Sequence, residues 1–280
     1  GYIAPRHISA ISFIGGVLTA AVDISFTKES LARLPRNTLT FSSLQDIPQR
    51  LIDDSDYLVV CSPNFLHEIH ILEGLKLGLE VISEKPVALT EKGLKKLRSE
   101  EDASEGRVNC ILQLRLHPLT KQLKRNGQES SKTKIELIYV AKRDNQYFET
   151  WKGDSSQSGG VLTNLGVHYF DLLLNNFGDC IDFSVEENSA ATSKGVLSLQ
   201  NATVKWLISL KKDDIDLYNI GEKGAFRSIT LNSKKIEFSK VSKDLHMKSY
   251  EKIIQGKGFS LKEAEPSIKL IDRIKNTGTI

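Results

Sequence analysis

Residues 159–171, GGVLTNLGVHYFD, are the stretch from which the rest of the chain is best understood. The polar residues Asn164, His168 and Asp171 stand at i, i+4 and i+7, so on an α-helix they form one stripe. Apolar residues occupy most of the other positions, which is typical of a buried helix. A polar stripe in a buried helix needs partners. Two interpretations are open: a core helix with a hydrogen-bonded histidine, or a catalytic helix that presents His168 to a substrate.

Length and composition are those of an ordinary globular protein of two domains. The 280 residues are 40% hydrophobic and 26% charged, and a domain usually has ~100–200 residues. The 38 basic and 35 acidic side chains are interspersed, so no nucleic-acid patch is predicted. No apolar run approaches the ~20 residues of a membrane span. Cys61, Cys110 and Cys180 lack metal-ligand spacing, so no metal is predicted, and we expect a reducing, cytoplasmic location.

The first 23 residues have the pattern of the second half of a dinucleotide-binding βαβ unit. Pro5 suits the first turn of a helix, residues 15–16 are glycines that end it, residues 17–22 form a predicted buried strand, and Asp23 follows. In such units the helix N-terminus faces a pyrophosphate and the acid binds the adenosine ribose. The first strand of the motif is apparently missing. Taken by itself, this pattern is explained equally well by an ordinary α/β connection.

Strands and helices alternate up to residue 118, which predicts a parallel sheet with right-handed crossovers. The predicted strands are residues 56–61, 80–83 and 109–114, and the predicted helices are residues 41–47, 66–77 and 90–99, with a solvated turn over 99–107. Ligands bind at the carboxyl ends of such strands. Polar clusters lie at three of these ends, namely Asp23, Ser62-Pro63-Asn64 and Glu84-Lys85-Pro86.

Lys85 has two interpretations. Most lysines are solvated surface charges. This one follows an apolar strand and precedes Pro86 at the predicted ligand edge. There a lysine donates to a substrate hydroxyl, or acts as an acid or base once burial lowers its pKa. Glu84 is then its partner or a helix cap.

Residues 119–280 are predicted to form a second α/β domain with an open, mostly antiparallel sheet packed on the central helix. Its predicted segments are a linker over 121–134, strands over 135–141, 181–185, 196–199, 202–210, 225–231 and 236–239, a loop over 146–157, and helices over 245–255 and 261–275. Because an open sheet exposes edges and a face, self-association is expected.

The motifs together resemble the glucose–fructose oxidoreductase, inositol dehydrogenase and rhizopine-catabolism family. The resemblance depends on Ser62-Pro63-Asn64 with His67, on Glu84-Lys85-Pro86, and on the glycines, His168 and Asp171 of the central stretch. It implies an N-terminal Rossmann domain, a C-terminal α/β domain, NAD as the cofactor, and a homotetramer. Many members carry Asp where this chain has Asn164, and Ile3 replaces the last glycine of the dinucleotide fingerprint.

Four segments narrow the resemblance to bacterial UDP-N-acetyl-2-amino-2-deoxyglucuronate 3-dehydrogenases. These are residues 1–7, 113–115, 151–154 and 163–171. The resemblance implies NAD-dependent oxidation of the sugar C3 hydroxyl to a ketone, in the synthesis of precursors for O-antigen (lipopolysaccharide) or a similar surface polysaccharide. The implied cofactor contacts are Tyr2, Ile3, Asp23, Ser62, Asn64, His67, Glu84, Gln113 and Trp151.

The resemblance also suggests a division of roles at the reaction centre. His168 is the expected base, and Lys85 binds the same hydroxyl and stabilises alkoxide charge. Asn164 cannot titrate, so it positions the substrate. Asp171 either orients the imidazole or belongs to a buried network. Asp23 should favour NAD over NADP.

Weaker expectations concern three residues of the predicted loops. Trp151 packs on the nicotinamide or only anchors its loop. Arg143 and Lys152 meet the negative charges of the substrate, or are simply exposed. Two rival functions are a dehydrogenase of another sugar nucleotide or free polyol, and an NAD-binding sensor without turnover.

Overall fold

The computed structural model describes residues 1–126, 132–221, 224–238 and 244–277. It contains parallel strands with helices in its N-terminal part and one six-stranded sheet in its C-terminal part. No helix among these described residues is both long and apolar enough to cross a bilayer.

The N-terminal part alternates short strands with helices, as predicted. Its elements are α1 (Ala4–Phe13), β1 (Ala20–Val22), α2 (Lys28–Leu31), β2 (Leu39–Phe41), α3 (Gln49–Asp53), β3 (Tyr57–Val60), α4 (His67–Lys76), β4 (Glu80–Ser83), α5 (Glu91–Ala103) and β5 (Val108–Cys110). β1 pairs with β2, and β3, β4 and β5 form a second sheet in that order. All these pairings are parallel, which confirms the predicted Rossmann-like arrangement.

Several predicted boundaries in this part are wrong. The strand predicted over 17–22 is shorter in the structure, since β1 covers only residues 20–22. Val22 was expected to be buried but is 39% exposed. A strand, β2, and a 3₁₀ turn, Leu44–Asp46, replace the helix predicted over 41–47. α5 continues to Ala103 where a turn was predicted, because a charged face does not end a helix whose residues are good helix formers. The strand predicted over 109–114 ends at Cys110, and a 3₁₀ turn, Gln113–Leu116, follows.

The C-terminal part is built on a mixed sheet that is antiparallel at four of its five pairings. Its elements are α6 (Thr120–Asn126), β6 (Thr133–Ala141), α7 (Asn145–Glu149), α8 (Ser155–Ser158), α9 (Val167–Phe177), β7 (Cys180–Asn188), β8 (Thr192–Leu199), β9 (Ala202–Ser209), α10 (Lys212–Leu217), β10 (Ala225–Leu231), β11 (Lys234–Glu237), α11 (Leu245–Ile254) and α12 (Leu261–Asn276). The strand order is β11-β10-β6-β9-β8-β7, with β6 and β9 parallel. This confirms the predicted open, mostly antiparallel sheet.

The predicted linker and loop are partly helical. α6 occupies the start of the segment predicted as a linker, and residues 127–131 of that segment lie outside the described residues. α7 and α8 lie in the segment predicted as the loop 146–157, and α10 was not predicted at all. The last residue of the strand predicted over 236–239 is also outside the described residues. Helices of four to seven residues carry too few turns for a reliable apolar period, so sequence pattern does not find them.

α9 packs its apolar side on the six-stranded sheet. Phe170 is fully buried and meets Trp206 of β9 edge to face, with ring centroids 5.7 Å apart. Leu172, Leu173 and Phe177 belong to the same apolar core. This burial fixes the helix, and therefore fixes the direction of its polar residues.

The last two helices return to the N-terminal part. Leu261 and Ile268 of α12 share an apolar core with Val81 of β4. Tyr250 of α11 packs in another core with Ile82. The chain thus closes against the sheet of β3, β4 and β5, and the predicted domain division at 118/119 stays a proposal.

Truncating Phe170 tests how much α9 depends on the sheet. Phe170→Ala should lower the free energy of unfolding by about 3–5 kcal/mol, because it removes a fully buried aromatic side chain and leaves a cavity. Urea unfolding followed by circular dichroism measures the change. The control is Phe13→Ala, since Phe13 is 55% exposed and its loss should cost less than about 1 kcal/mol. Equal effects of the two changes would contradict this packing.

Candidate active site

Lys85 reaches from the end of β4 to the helix region before α9. Its ammonium Nζ donates to the main-chain carbonyl of Asn164 at 2.9 Å. Burial lowers the pKa of Lys85, and the negative charge of Glu84 opposes that change. A lysine held this way has its charge at a fixed place, which the solvated interpretation does not explain.

The segment before α9 is a π-helical turn over Leu162–Gly166, not the start of a regular α-helix. Gly166 allows close packing there, because a Cβ atom would lie 2.5 Å from Cδ1 of Ile208. Inside this turn the Asn164 amide nitrogen donates to the Tyr147 hydroxyl at 2.9 Å. Such turns are frequent at functional sites. The prediction that Asn164, His168 and Asp171 share one stripe of a regular α-helix is therefore wrong for Asn164.

His168 lies on the first turn of α9, beside Gln113. The Nε2 atom of His168 is 3.5 Å from the Gln113 amide nitrogen. Burial, and then the positive charge of Lys85, hold the pKa of His168 well below its ordinary value. The imidazole is therefore neutral at physiological pH, which is the state in which a ring nitrogen has a free lone pair. Lys85 thus contacts the main chain of Asn164 and acts electrostatically on His168, and the predicted catalytic roles of these residues stay predictions.

Asp171 belongs to a different contact. Both of its carboxylate oxygens accept from Arg115, at 2.6 and 2.9 Å. Arg115 also donates to the main-chain carbonyl of Glu263 at 2.8 Å. Of the two roles left open for Asp171, the structure shows the buried network, in which α9 is tied to the turn after β5.

Two predicted cofactor contacts are used to hold turns. His67 has one ring nitrogen 2.7 Å from the carbonyl of Pro86 and the other 2.8 Å from the carbonyl of Ser62. Both ring nitrogens thus face main-chain carbonyls, and the predicted cofactor contact of His67 stays a prediction. Asn64 donates to the main chain of Ser158 at 2.9 Å and so joins the β3 turn to α8. The Ser62 hydroxyl is 2.9 Å from a ring nitrogen of His70.

Glu84 is the centre of a buried cluster that was not predicted. Its Oε1 atom is 2.8 Å from His246 and 3.2 Å from His7, both at Nε2. Burial alone would raise the pKa of Glu84, but the hydrogen bonds from His246 and His7 hold it well below its ordinary value. No local pattern could reveal this cluster, since its members come from distant segments.

Cationic and aromatic side chains lie near one another in the segments around α7. Arg143 lies over the ring of Tyr147, with 5.4 Å to the centroid. Lys152 lies 5.3 Å from the ring centroid of Tyr2 and 5.9 Å from that of Trp151. Burial, and then the charge of Arg143, lower the pKa of Lys152. The two cations therefore influence one another electrostatically.

The N-terminal segment suits a dinucleotide. Ile3 caps α1 without a side-chain hydrogen bond, and the first turn of α1 has no acidic residue. A helix N-terminus attracts a pyrophosphate, although in this turn Pro5 has no N–H and the N–H of Arg6 donates to the Ile3 carbonyl at 2.9 Å. Asp23 follows β1, its Oδ1 atom accepts from the backbone N–H of Ser25 at 3.0 Å, and its Oδ2 atom lies 3.6 Å from the N-terminal nitrogen of Gly1. An acid at this place in a dinucleotide-binding motif is the one that binds ribose hydroxyls.

Comparison with known families gives two matches. Residues 1–110 match an oxidoreductase family with an NAD-binding Rossmann fold. Residues 132–233 match the C-terminal alpha/beta domain of the same family. Together the matches cover more than half of the chain.

Two curated relatives are from Bacillus subtilis (strain 168). Putative oxidoreductase YteT is 25% identical over 127 residues, which are 44% of this chain and 30% of that protein. Glucose-6-phosphate 3-dehydrogenase is 27% identical over 212 residues, which are 73% of this chain and 59% of that protein. The chain thus spans less than two thirds of the length of either relative.

Solved structures match over the whole chain. The WlbA (WbpB) dehydrogenase from Thermus thermophilus, in complex with NAD and alpha-ketoglutarate, is 35% identical with a TM-score of 0.93, covering 100% of this chain and 93% of that one. Its complex with NAD and UDP-GlcNAcA is 34% identical with a TM-score of 0.92, at the same coverage. The WlbA dehydrogenase from Bordetella pertussis, at 20% identity and a TM-score of 0.80 over 98% of this chain and 92% of that one, shows the fold alone.

The Arg115–Asp171 pair can be tested by a double-mutant cycle. Arg115→Met should destabilise the protein by about 3–5 kcal/mol, because it leaves a buried carboxylate without its cation. Burial already raises the pKa of Asp171, so the loss should be smaller at pH 5, where protonation relieves the charge, than at pH 8.

Urea unfolding at both pH values measures these losses. The matched double variant, Arg115→Met with Asp171→Leu, removes both charges and should be more stable than Arg115→Met alone. If the double variant is as unstable as the single one at both pH values, the pair does not have this role.

Proposed function

Since the chain belongs to the oxidoreductase family with an NAD-binding Rossmann domain and a C-terminal alpha/beta domain, we propose that it oxidises the C3 hydroxyl of UDP-N-acetyl-2-amino-2-deoxyglucuronate to a ketone. Membership confirms the predicted family, fold class, cofactor NAD and class of chemistry, NAD-dependent oxidoreduction. The substrate is the compound called UDP-GlcNAcA in the related complex. The observation that carries the proposal is the meeting of Lys85, Asn164 and His168 in one place.

The reaction removes a hydride and a proton from a secondary alcohol. NAD, when bound, supplies the hydride acceptor. His168 accepts the hydroxyl proton, which its neutral state allows. Lys85 donates a hydrogen bond to the same oxygen and stabilises the negative charge that develops there. Asn164 positions the sugar, since an amide cannot act as a base.

Positive charges near the site suit an anionic sugar nucleotide. Arg143 acts electrostatically on Lys152, and Lys152 lies over the ring of Tyr2, just before α1. A carboxylate or pyrophosphate placed between them would gain charge-assisted hydrogen bonds. This supports a uronate of a nucleotide sugar over an uncharged polyol. Trp151 lies beside Lys152 and is assigned to the same surface.

A second candidate is favoured by one relative. The similarity to a glucose-6-phosphate 3-dehydrogenase points to a sugar phosphate as the alternative substrate. In both cases the C3 hydroxyl of an anionic sugar is oxidised. The same groups of this chain, Lys85 and His168, would serve either reaction.

The wider context of the proposal follows from the resemblance of the sequence. We place the reaction in the cytoplasm, in precursor synthesis for O-antigen or a similar surface polysaccharide, and the active assembly as a homotetramer. The edge strand β7 leaves Ile181 62% exposed, as an associating surface would require. The 2-oxo acid in the related complex is a candidate for reoxidising the reduced cofactor.

Loss of either reacting group should abolish turnover. With UDP-GlcNAcA and NAD, the absorbance of reduced nicotinamide should rise. His168→Asn should lower kcat by about 10²–10⁴-fold, because the base is lost, and Lys85→Met by about 10²–10³-fold, because the alkoxide loses its donor. The exposed Lys92→Met is the control and should keep full activity.

NAD binding, followed by calorimetry, should persist in all three variants. Full activity of His168→Asn and Lys85→Met would overturn the assignment. Glucose 6-phosphate and myo-inositol, tested beside the UDP sugar, identify the substrate class. NAD binding without turnover of any of them would favour the sensor.

Asp23 should determine the choice of dinucleotide. The wild type should prefer NAD over NADP, because the 2′-phosphate of NADP would meet a carboxylate. Asp23→Ser should improve NADP binding by about tenfold or more, which corresponds to ~1.4 kcal/mol. Calorimetric Kd values for both dinucleotides measure this, with Asp56→Ser, a change at an exposed acid, as the control. An unchanged ratio of the two Kd values in Asp23→Ser would contradict this role.

A further inference from the structure

The carboxylate of Glu84 is buried at the end of β4, where three elements meet. His7 comes from α1, and His246 comes from α11. Both imidazoles are fully buried, and their rings lie 5.2 Å apart, edge to face. The second oxygen of Glu84 accepts from the backbone N–H of Lys85 at 3.3 Å. The Glu84 carboxylate is thus also bonded to the backbone of Lys85, the residue that follows it in the chain.

The hydrogen bonds of the cluster have one consistent direction. Because the carboxylate only accepts, the Nε2 atoms of His7 and His246 carry protons and donate to Oε1. In His7 the remaining nitrogen, Nδ1, then accepts from the hydroxyl of Tyr250 at 2.8 Å. Tyr250 is 1% exposed, so this chain of bonds is shielded from water and stays strong.

A metal ion is a poor explanation for the same cluster. The potential ligand atoms of His7, Glu84 and His246 lie within 4.8 Å of one another. However, each of these atoms is already used in a hydrogen bond to another member of the cluster. An ion would have to displace both imidazole protons inside a closed core. Proton-bonded partners satisfy the carboxylate without one.

We propose that Glu84, held as a carboxylate by His7 and His246, is a positioning residue that keeps Lys85 protonated in the active site. The inference rests on the proposed function, in which Lys85 acts as an ammonium. Burial disfavours a charged lysine, and a nearby negative charge in a medium of low dielectric restores it. Lys85 itself donates to a neutral carbonyl, that of Asn164, so Glu84 supplies the compensating charge.

The surroundings of both groups agree with this assignment. The titratable groups that act electrostatically on Glu84 or Lys85, or are acted on by them, are His7, Cys61, His67, Tyr139, His168, His246 and Tyr250. Glu84 is the carboxylate in this set. It raises the pKa of Lys85 against the effect of burial, and it likewise opposes the lowering of the pKa of His168.

The sign of the pH effect follows directly. When the negative charge is removed, the pKa of Lys85 falls further. Lys85 then loses its proton at a lower pH. The alkaline limb of the pH profile, where kcat/KM falls as the pH rises, therefore moves to lower pH. The expected shift is about one pH unit or more, the usual effect of an opposite charge nearby. A purely structural role of Glu84 would lower activity equally at every pH.

Four variants of the whole enzyme test the proposal. Glu84→Gln removes the charge but keeps the shape. His246→Leu removes a donor, so Glu84 becomes easier to protonate, and the limb should shift in the same direction. His246→Gln keeps a donor near the position of Nε2 and should restore the wild-type limb. Glu80→Gln, at the other end of β4, is the matched control and should not shift it.

The measurements are kcat/KM from pH 6 to pH 10 and the titration of the Lys85 side chain by NMR with labelled lysine, assigned through Lys85→Arg. The NMR titration needs no substrate, so it still tests the inference if the proposed reaction fails. A lower Lys85 pKa in Glu84→Gln and in His246→Leu, but not in His246→Gln, supports the proposal. An unchanged Lys85 pKa in Glu84→Gln, or in His246→Leu should the first variant not fold, overturns it.

Discussion

The hydrogen bond from Lys85 to the main-chain carbonyl of Asn164 joins the two parts of the molecule at the active site. For this bond to form, the C-terminal end of β4 must lie next to the π-helical turn that precedes α9. The parallel sheet fixes the first position, and the packing of Phe170 on Trp206 fixes the second. Lys85 follows β4, which packs in one apolar core, and Asn164 precedes α9, which packs in another. The bond between them therefore forms only when both cores are formed.

Three ionised side chains buried near this bond are each stabilised in a different way. Asp171 is balanced by a direct ion pair with Arg115. Glu84 is balanced by hydrogen bonds from two imidazoles. Lys85 donates to a neutral carbonyl and depends on Glu84 for its compensating charge. Each arrangement satisfies a buried ionised group, and under the proposed function the charge of Lys85 is the one that acts on the substrate.

Several elements could be predicted from the sequence because their pattern is local. β4 and β10 were predicted at the residues where they occur, since short apolar runs stand between turn residues. The ligand edge followed from polar residues after strands. β2 and α10 escaped prediction because they are short and not buried, so no apolar period marks them. The His7–Glu84–His246 cluster escaped because 77 and 162 positions separate its partners.

The sequence by itself determined the family and the parallel and mostly antiparallel sheets, and it singled out Lys85, Asn164 and His168 as candidate site residues. These depend on residue type and spacing. Only the tertiary structure decided that Asp171 faces Arg115 and that His67 holds two turns. The physical reason is that a buried polar group bonds to whatever folding brings within about 3 Å. Spacing along the chain sets which face a residue lies on, but packing between distant segments chooses its partner.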